Sequence, residues 1–305
     1  MTSDAKARLV AFGLVLGACA SLGGAAAWIT LDRFAVVERD GVRRSLLRAR
    51  TAIEDYLVVL KGKAGDWAQW DEAYEFVVHP TPEWIESNVP TNSLVQLDLN
   101  LIVFLDVDGR TVFAKAVDAA TGNPIPVPAP FDRQLPLDSP LIPPGDAVGG
   151  VSGAVMVGGR CLFAAARPIL TSSGRGPARG TLVFARFLDE LFVERLRSGA
   201  RVDLSFRPYE GEPLPRDFRE ARDALGSVDD VRLEELGDER IAAFGLLAGL
   251  DGRPVLVTRV EIPREVRSVA RSAAWRMAGA AVAVAAAFGA AVFLFVGSRP
   301  RRKSA

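Results

Sequence analysis

Histidine and cysteine are nearly absent: one His and two Cys stand in 305 residues. With His79 as the sole histidine, no H-E-x-x-H zinc motif can form, and a lone histidine without a Cys/His cluster is a poor metal signal. No G-x-S-x-G nucleophile elbow occurs. A serine–lysine dyad finds no spacing that recommends it. Asp71 and Glu72 adjoin on one segment, whereas glycosidase carboxylates must face each other across a cleft. Excess charge of one sign is also missing: Lys+Arg and Asp+Glu each total 37. No global field draws the chain to nucleic acid, and Lys/Arg-rich sequence is confined to the extreme C-terminus. An enzyme is not expected, nor is a cofactor or a metal.

Two stretches lack charge altogether. Leu9–Leu31 lies between Arg8 and Asp32, and Met277–Ser298 lies between Arg276 and Arg299. Each exceeds the roughly 20 apolar residues that cross a bilayer. Lys6 and Arg8 precede the first stretch; Arg299, Arg301, Arg302 and Lys303 follow the second. Cationic flanks mark the cytoplasmic side. The expected layout is a cytoplasmic N-terminus at 1–8, a transmembrane helix at 9–31 and an extracytoplasmic domain at 32–276. A second transmembrane helix follows at 277–298, then a cytoplasmic tail at 299–305. The expected location is a bacterial inner membrane. Two processing routes compete with an uncleaved first span. Ala25-Ala26-Ala27 has the form of a signal-peptidase site, although the run is long for a signal. Leu16-Gly17-Ala18-Cys19 has the form of a lipoprotein site, although apolar sequence continues past Cys19.

Cys19 in the membrane and Cys161 outside it cannot pair. Cys161 lies in the apolar run GRCLFAAARPI and reads as a buried thiol rather than an intermolecular bridge.

Between the spans, Val42, Leu46, Ala49, Ile53, Tyr56 and Leu60 alternate spacings of four and three. They form one apolar seam on a helix over 33–62, which could join two subunits or dock on its own domain. Gly62 and Gly65, with Asp66 and Gln69 as a capping box, predict a break near Gly65 and a new helix from Asp66. LNLIVFLDVDGRTVFAKAV reads as a hairpin turning at Asp108-Gly109. A Pro-rich connection follows from Pro124 to Pro144. A second hairpin turns at Gly158-Gly159, and TLVFARFL is a further strand. LDELFVERLRSG is a helix and RVDLSFRP a strand. Residues 216–240 read as one short helix with loops. A third hairpin turns at Asp251-Gly252, Pro263 ends it, and a helix from Arg264 runs into the second span. The elements amount to a long helix, a mostly antiparallel sheet and an exit helix.

The most concentrated aromatic and acidic segment is GDWAQWDEAYEFV, residues 65–77. On one helix Trp67, Trp70 and Tyr74 share an arc, flanked by Asp71 and Asp66. Two readings stay open: a core stripe, or one wall of a ligand site with a few converging polar groups. Arg167 could bind a ligand carboxylate through its fork of donors or pair with Asp66 or Asp71; Arg186 is a weaker candidate. The candidate ligand-binding set is Trp67, Trp70, Asp71, Tyr74 and Arg167. In the spans, Gly13, Gly17, Ser21 and Gly24 form one small-residue stripe, and Gly279, Ala283, Ala286 and Ala290 another. Such faces permit close helix packing within the chain, between copies or with a partner.

The run DWAQWDEAYEFV, then Trp84-Ile85 and Asn88, then LDLNLIVFLDVDGR, resembles a CHASE domain of the fourth class. CHASE denotes a cyclase/histidine-kinase-associated sensory extracellular module. ARPILTSSGRGPARGTLVFAR and LDGRPVLVTRVEIPREV are similar to later blocks of that family, so the likeness spans residues 50–267. It implies an α/β (α+β) sensor domain of PAS/Cache-like fold that binds a small molecule or protein. The usual cytoplasmic output does not follow the second span, where only the seven residues Arg299–Ala305 remain. Signalling is therefore expected to pass through a partner chain in the membrane or cytoplasm, with a homodimer as a further option. The main rival is a non-sensory anchored assembly module or degenerate receptor, and an exported enzyme is the third reading.

Overall fold

A computed structural model describes residues 3–144, 148–211, 213–237 and 239–297. The expected cytoplasmic tail, 299–305, lies outside the described residues. In chain order the elements are α1 (Ser3–Ala68), α2 (Asp71–Phe76), α3 (Pro82–Asn88), α4 (Thr91–Gln96), β1 (Leu101–Asp106), β2 (Thr111–Ala116), β3 (Val151–Val157) and β4 (Arg160–Pro168). These are followed by β5 (Gly180–Phe187), α5 (Glu190–Ala200), β6 (Asp203–Pro208), α6 (Arg216–Ala224), β7 (Arg232–Leu236), β8 (Arg240–Ala248), β9 (Pro254–Pro263) and α7 (Glu265–Gly297). The chain divides into two compact units. One comprises Met1–Val42, Glu235–Ile241 and Pro263–Ala305; the other comprises Arg43–Glu234 and Ala242–Ile262.

Three expected hairpins are present, and their turns use the glycines that the spacing singled out. Gly109 sits at φ +77°, Gly158 and Gly159 at +56° and +77°, and Gly252 at +78°, conformations that other residues rarely adopt. The strands form two sheets rather than one: β2-β1-β5-β4-β3 and β6-β9-β8-β7. Strands β8 and β9 are neighbours, but β9 also pairs with the distant β6, with Leu204 opposite Val260. Non-local pairing of that kind leaves no local sequence signal. Strand β7 is a correction, since 216–240 reads as helix and loop. Its sequence, RLEEL, has too little apolar alternation to look like a strand.

In the second unit the five-stranded sheet is buried on both faces. Ile102, Phe104, Ala165, Leu182 and Phe184 point to one side, where Leu60, Ala64 and Ala68 of α1 pack. Leu101, Val103, Leu105, Val183 and Ala185 point to the other, covered by Phe131, Leu135 and Leu141 of the Pro-rich connection. Strand alternation with a period of two produces this split. The α1 seam docks on its own domain: Leu46, Ala49, Ile53 and Leu60 are at most 1 % exposed. Leu46 also lies close to Gly245 of β8, and Arg50 Nη2 donates to Val228 O at 2.5 Å.

The expected break at Gly65 is displaced. Helix α1 continues to Ala68, and the kink falls at Gln69-Trp70. Gly65 is tolerated in the helix because the Arg167 guanidinium lies against it; an added Cβ would approach Arg167 Nη2 to 3.0 Å. The kink is set from afar: Leu170 N donates to Ala68 O at 2.9 Å, and Gln69 bridges to Leu170. Asp66 is therefore inside α1 and does not cap a new helix.

In the first unit α1 and α7 pack antiparallel along their apolar stretches. Gly23 meets Ala278 and Ala281, and Gly289 accommodates the Phe12 ring. Ala285 is 1 % exposed. The two small-residue stripes are not what joins the helices: Gly13, Gly17, Gly24 and Gly279 have no neighbour near their Cβ positions. Ser21 Oγ instead donates back to Gly17 O at 2.8 Å. Among the described residues, one helix is long and apolar enough to cross a membrane, namely α1, and α7 carries a shorter apolar stretch at Trp275–Ala291.

Candidate functional site

Three groupings of polar and aromatic side chains stand out. The first is the joint between α1 and α2, where four of the five candidate residues fall. Because the helix kinks at Trp70, the aromatics do not line one helix face. Trp67 stacks edge-on to Phe184 at 5.7 Å and to Trp70 at 6.4 Å, and Trp70 lies 5.8 Å from Trp84. Trp84 stacks on Phe76 at 4.0 Å. Trp67, Trp70, Tyr74 and Trp84 all pack against the core of the five-stranded sheet.

The polar groups of the joint grip the β4–β5 connection. The Asp71 N–H donates to Ser172 Oγ at 3.0 Å, and the Ser172 N–H donates to Asp71 Oδ1 at 2.9 Å. Tyr74 Oη donates to Pro177 O at 3.0 Å. The Arg179 guanidinium covers the Tyr74 ring at 4.0 Å and pairs with Glu75 at 2.5 Å. Arg167 lies against Gly65 near the end of α1 but takes no part in this grip, and it pairs with neither Asp66 nor Asp71. Its Nη1 donates to Gly149 O, and its buried Nε has no hydrogen-bond partner. A shallow depression of about 430 Å³ opens beside Asp71, bordered by Glu72, Glu75, His79 and Trp84. Of the candidate residues only Asp71 borders it.

The second grouping centres on Arg186, which the sequence ranks below Arg167. Its side chain is wholly buried, with Nη1 2.8 Å from Asp189 Oδ2 and Nε 3.4 Å from Asp98 Oδ1. Nη1 also donates to Asn100 Oδ1, which accepts from Phe187 N at 2.9 Å as well. Asp98 holds φ +61°, a conformation that Asp tolerates better than most residues, and also pairs with Arg195. Asp189 caps α5 by accepting from Phe192 N. Tyr56 of α1 completes the group; burial, then the Asp98 carboxylate, push its phenol pKa up, so it stays neutral. The sequence signal for this hub is an arginine three residues before an N-cap aspartate, visible only once the helix start is known.

The third grouping lies in the first unit. Arg264, just before α7, has a side chain 1 % exposed. Its Nε is 3.1 Å from Glu38 Oε2 on α1, and its Nη1 is 2.8 Å from Glu235 Oε2 at the end of β7. Burial opposes the charge, but hydrogen bonds to Glu235 and Glu38 prevail and raise the Arg264 pKa. Arg264 N also donates to Glu239 O at 2.7 Å. One guanidinium thus fastens α1, the β7–β8 turn and the start of α7. Among the described residues no His/Cys/Asp/Glu group has the makings of a metal site.

The CHASE4 domain family model matches residues 52–207, just over half of the chain. A methanogenesis regulatory histidine kinase, FilI, of Methanothrix harundinacea (strain 6Ac), is 25% identical over 244 residues, 80% of this chain. The chain spans 27% of that relative's length. Among solved structures, the extracellular domain of vpHK1S-Z8, described as a histidine kinase, aligns with TM-score 0.51 and 11% identity, covering 77% of this chain and 98% of that one. A domain of a sensory box/GGDEF family protein from Vibrio parahaemolyticus aligns with TM-score 0.50 and 11% identity, covering 78% and 99%. These two establish a shared mixed α/β fold. With the family match extending from α1 through β6, the chain belongs to the CHASE4 domain family of extracellular sensory modules.

Proposed function

We propose that this chain is the sensing part of a two-span membrane receptor, with residues 32–276 outside the cytoplasmic membrane and residues 9–31 and 277–298 crossing it. An unidentified small molecule or protein is the stimulus, and a signalling partner of the histidine-kinase class is the recipient. The carrying observation is the Arg264 latch with Glu38 and Glu235. It sits where the chain leaves the sheets for the second apolar helix. A ligand that favours one arrangement of the strands over another would bias the latch and hence α1 against α7, as a population shift.

Two features support the membrane placement. Antiparallel packing at Gly23/Ala281 and Phe12/Gly289 sets both apolar stretches at one height. Trp28 and Trp275, 69% and 74% exposed, flank the same end of that pair, the pattern of an interfacial aromatic belt. At the joint, Trp67, Trp70, Asp71 and Tyr74 would relay contacts made by the 171–179 segment to the end of α1, and Arg167 would hold Gly65 beside it.

A chimaera tests this without knowledge of the ligand. Residues 1–297 replace the sensor and spans of a histidine kinase with a measurable autophosphorylation rate, at several linker lengths. A sensor whose equilibrium sets output predicts that Arg264→Ala changes basal autophosphorylation severalfold in at least one linker phase. A non-sensory anchored module predicts equal output from both forms in every phase, which would contradict the proposal.

A further inference from the structure

A hollow of the second unit lies away from the joint, on the opposite face of the five-stranded sheet. It measures about 490 Å³. Its floor is the buried Phe131, Leu135, Leu141 and Ala154, and its rim includes Met156 and Val255. Three segments build it: the Pro-rich connection, the edge strand β3 and the β8–β9 turn. The turn is fixed on β3 by Leu250 N donating to Ala154 O at 3.0 Å. Gly153 allows this approach, since a Cβ there would come within 2.8 Å of Leu250 Cδ2. An occupant would therefore touch both sheets at once.

Charge narrows the class of occupant. Among the described residues, the charged side chains in the lining are Asp138 and Asp251, both exposed. Asp138 forms no ion pair among the described residues. Asp251 Oδ1 accepts from Arg253 N at 3.1 Å, and its Oδ2 has Arg253 Nε at 3.9 Å, although that arginine side chain is 86% exposed. Among the described residues no lysine or arginine lines the hollow, so a carboxylate or phosphate finds no counter-charge in its wall, while an ammonium finds Asp138 and, shared with Arg253, Asp251. An apolar floor with a few placed polar groups is the usual form of a small-molecule site.

We infer that this hollow is a binding site for a compact organic amine: an apolar body over Phe131 and Leu141, with its ammonium towards Asp138 and Asp251 and no acidic group of its own. The inference stands apart from the sensory reading, since occupation can be measured without any output.

Saturation-transfer NMR on the full chain in lipid nanodiscs, with empty nanodiscs subtracted, tests it. The probes are cyclohexylammonium, cyclohexanol and cyclohexanecarboxylate, which share a body and differ in charge. Cyclohexylammonium is expected to bind saturably and about fivefold more tightly than cyclohexanol, the scale of one partly exposed ion pair. The carboxylate should bind least. Asp138→Asn with Asp251→Asn should abolish the preference for the ammonium over the alcohol while leaving the alcohol bound. Asp138→Asn alone breaks no hydrogen bond among the described residues, so it should reduce the preference even if the double variant fails to fold. Met156→Trp should fill the rim and weaken both the ammonium and the alcohol. No saturable ammonium signal, or a preference unchanged in the Asp138→Asn protein, would overturn the assignment.

Discussion

Arg264 Nε lies 3.1 Å from Glu38 Oε2, with the two side chains 1 % and 3 % exposed. A pair so buried gains little net stability over apolar residues, but removing one partner leaves a desolvated charge behind. Arg264→Ala is expected to lower unfolding stability by on the order of 3–5 kcal/mol. Glu38→Ala should cost less, because Glu235, 49% exposed, still holds the guanidinium. Arg264→Met with Glu38→Met should recover most of the loss. Thermal unfolding of the nanodisc-embedded chain measures all three. Equal costs for the single variants would show that Glu235 does not hold the guanidinium once Glu38 is gone.

Arg186 makes the same case inside the sheet module. It is wholly buried, donates from Nη1 and Nη2 to Asp189 and from Nη1 to Asn100, and pairs with Asp98 by charge at 3.4 Å. Lysine lacks the planar fork. Arg186→Lys should therefore destabilise nearly as much as Arg186→Met, on the order of 3 kcal/mol in denaturant titration. A Lys variant of wild-type stability would mean that charge alone suffices.

Cys161 gives a pH dependence. Burial pushes its thiol pKa up from 9.0 to about 12. A group whose folded pKa is raised contributes stability that is complete below its unfolded pKa and fades as pH rises through the folded value. The stability difference between wild type and Cys161→Ala should be flat below about pH 8 and then fall by up to ~1.4 kcal/mol per pH unit between about 9 and 12. Urea titrations at pH 7, 8 and 10.5 read this directly; a difference independent of pH would contradict it.

Gly180 has no side-chain role, yet a Cβ there would lie 1.9 Å from Leu105 O in the adjoining strand. Asp106 and Gly180 are paired across β1 and β5 at this point. Gly180→Ala should displace that end of the ladder and lower the melting temperature by several degrees, on the scale of 1–3 kcal/mol for an overpacked site. Hydrogen exchange at the Ile169 amide, which donates to Gly180 O at 2.9 Å, should accelerate with it. Unchanged exchange would place the strain elsewhere.

The hairpins, the α1 seam and the exit helix were legible because each rests on local spacing and on glycines that a turn requires. The charged strand β7 was not, since Arg232, Glu234 and Glu235 erase its alternation. Nor was the partition into two sheets, which depends on β6 meeting β9 across much of the chain. The kink between α1 and α2 misled for a related reason: Gly65 and Asp66 carry every local sign of a helix boundary, but Leu170 decides where it falls. The aromatic run was visible as a concentration of Trp and Tyr. Its split between core contacts and a clamp on Ser172 and Pro177 depends on a loop about a hundred residues away.

The placement of residues 32–276 on the far side of the membrane is best measured by labelling. In a background of Cys19→Ala and Cys161→Ala, single cysteines are introduced at the exposed Ser173 and Asp229 and treated with a membrane-impermeant maleimide. Both positions should label fully in intact cells or spheroplasts. Labelling that appears only after lysis would put the module inside and contradict the receptor topology from which the rest follows.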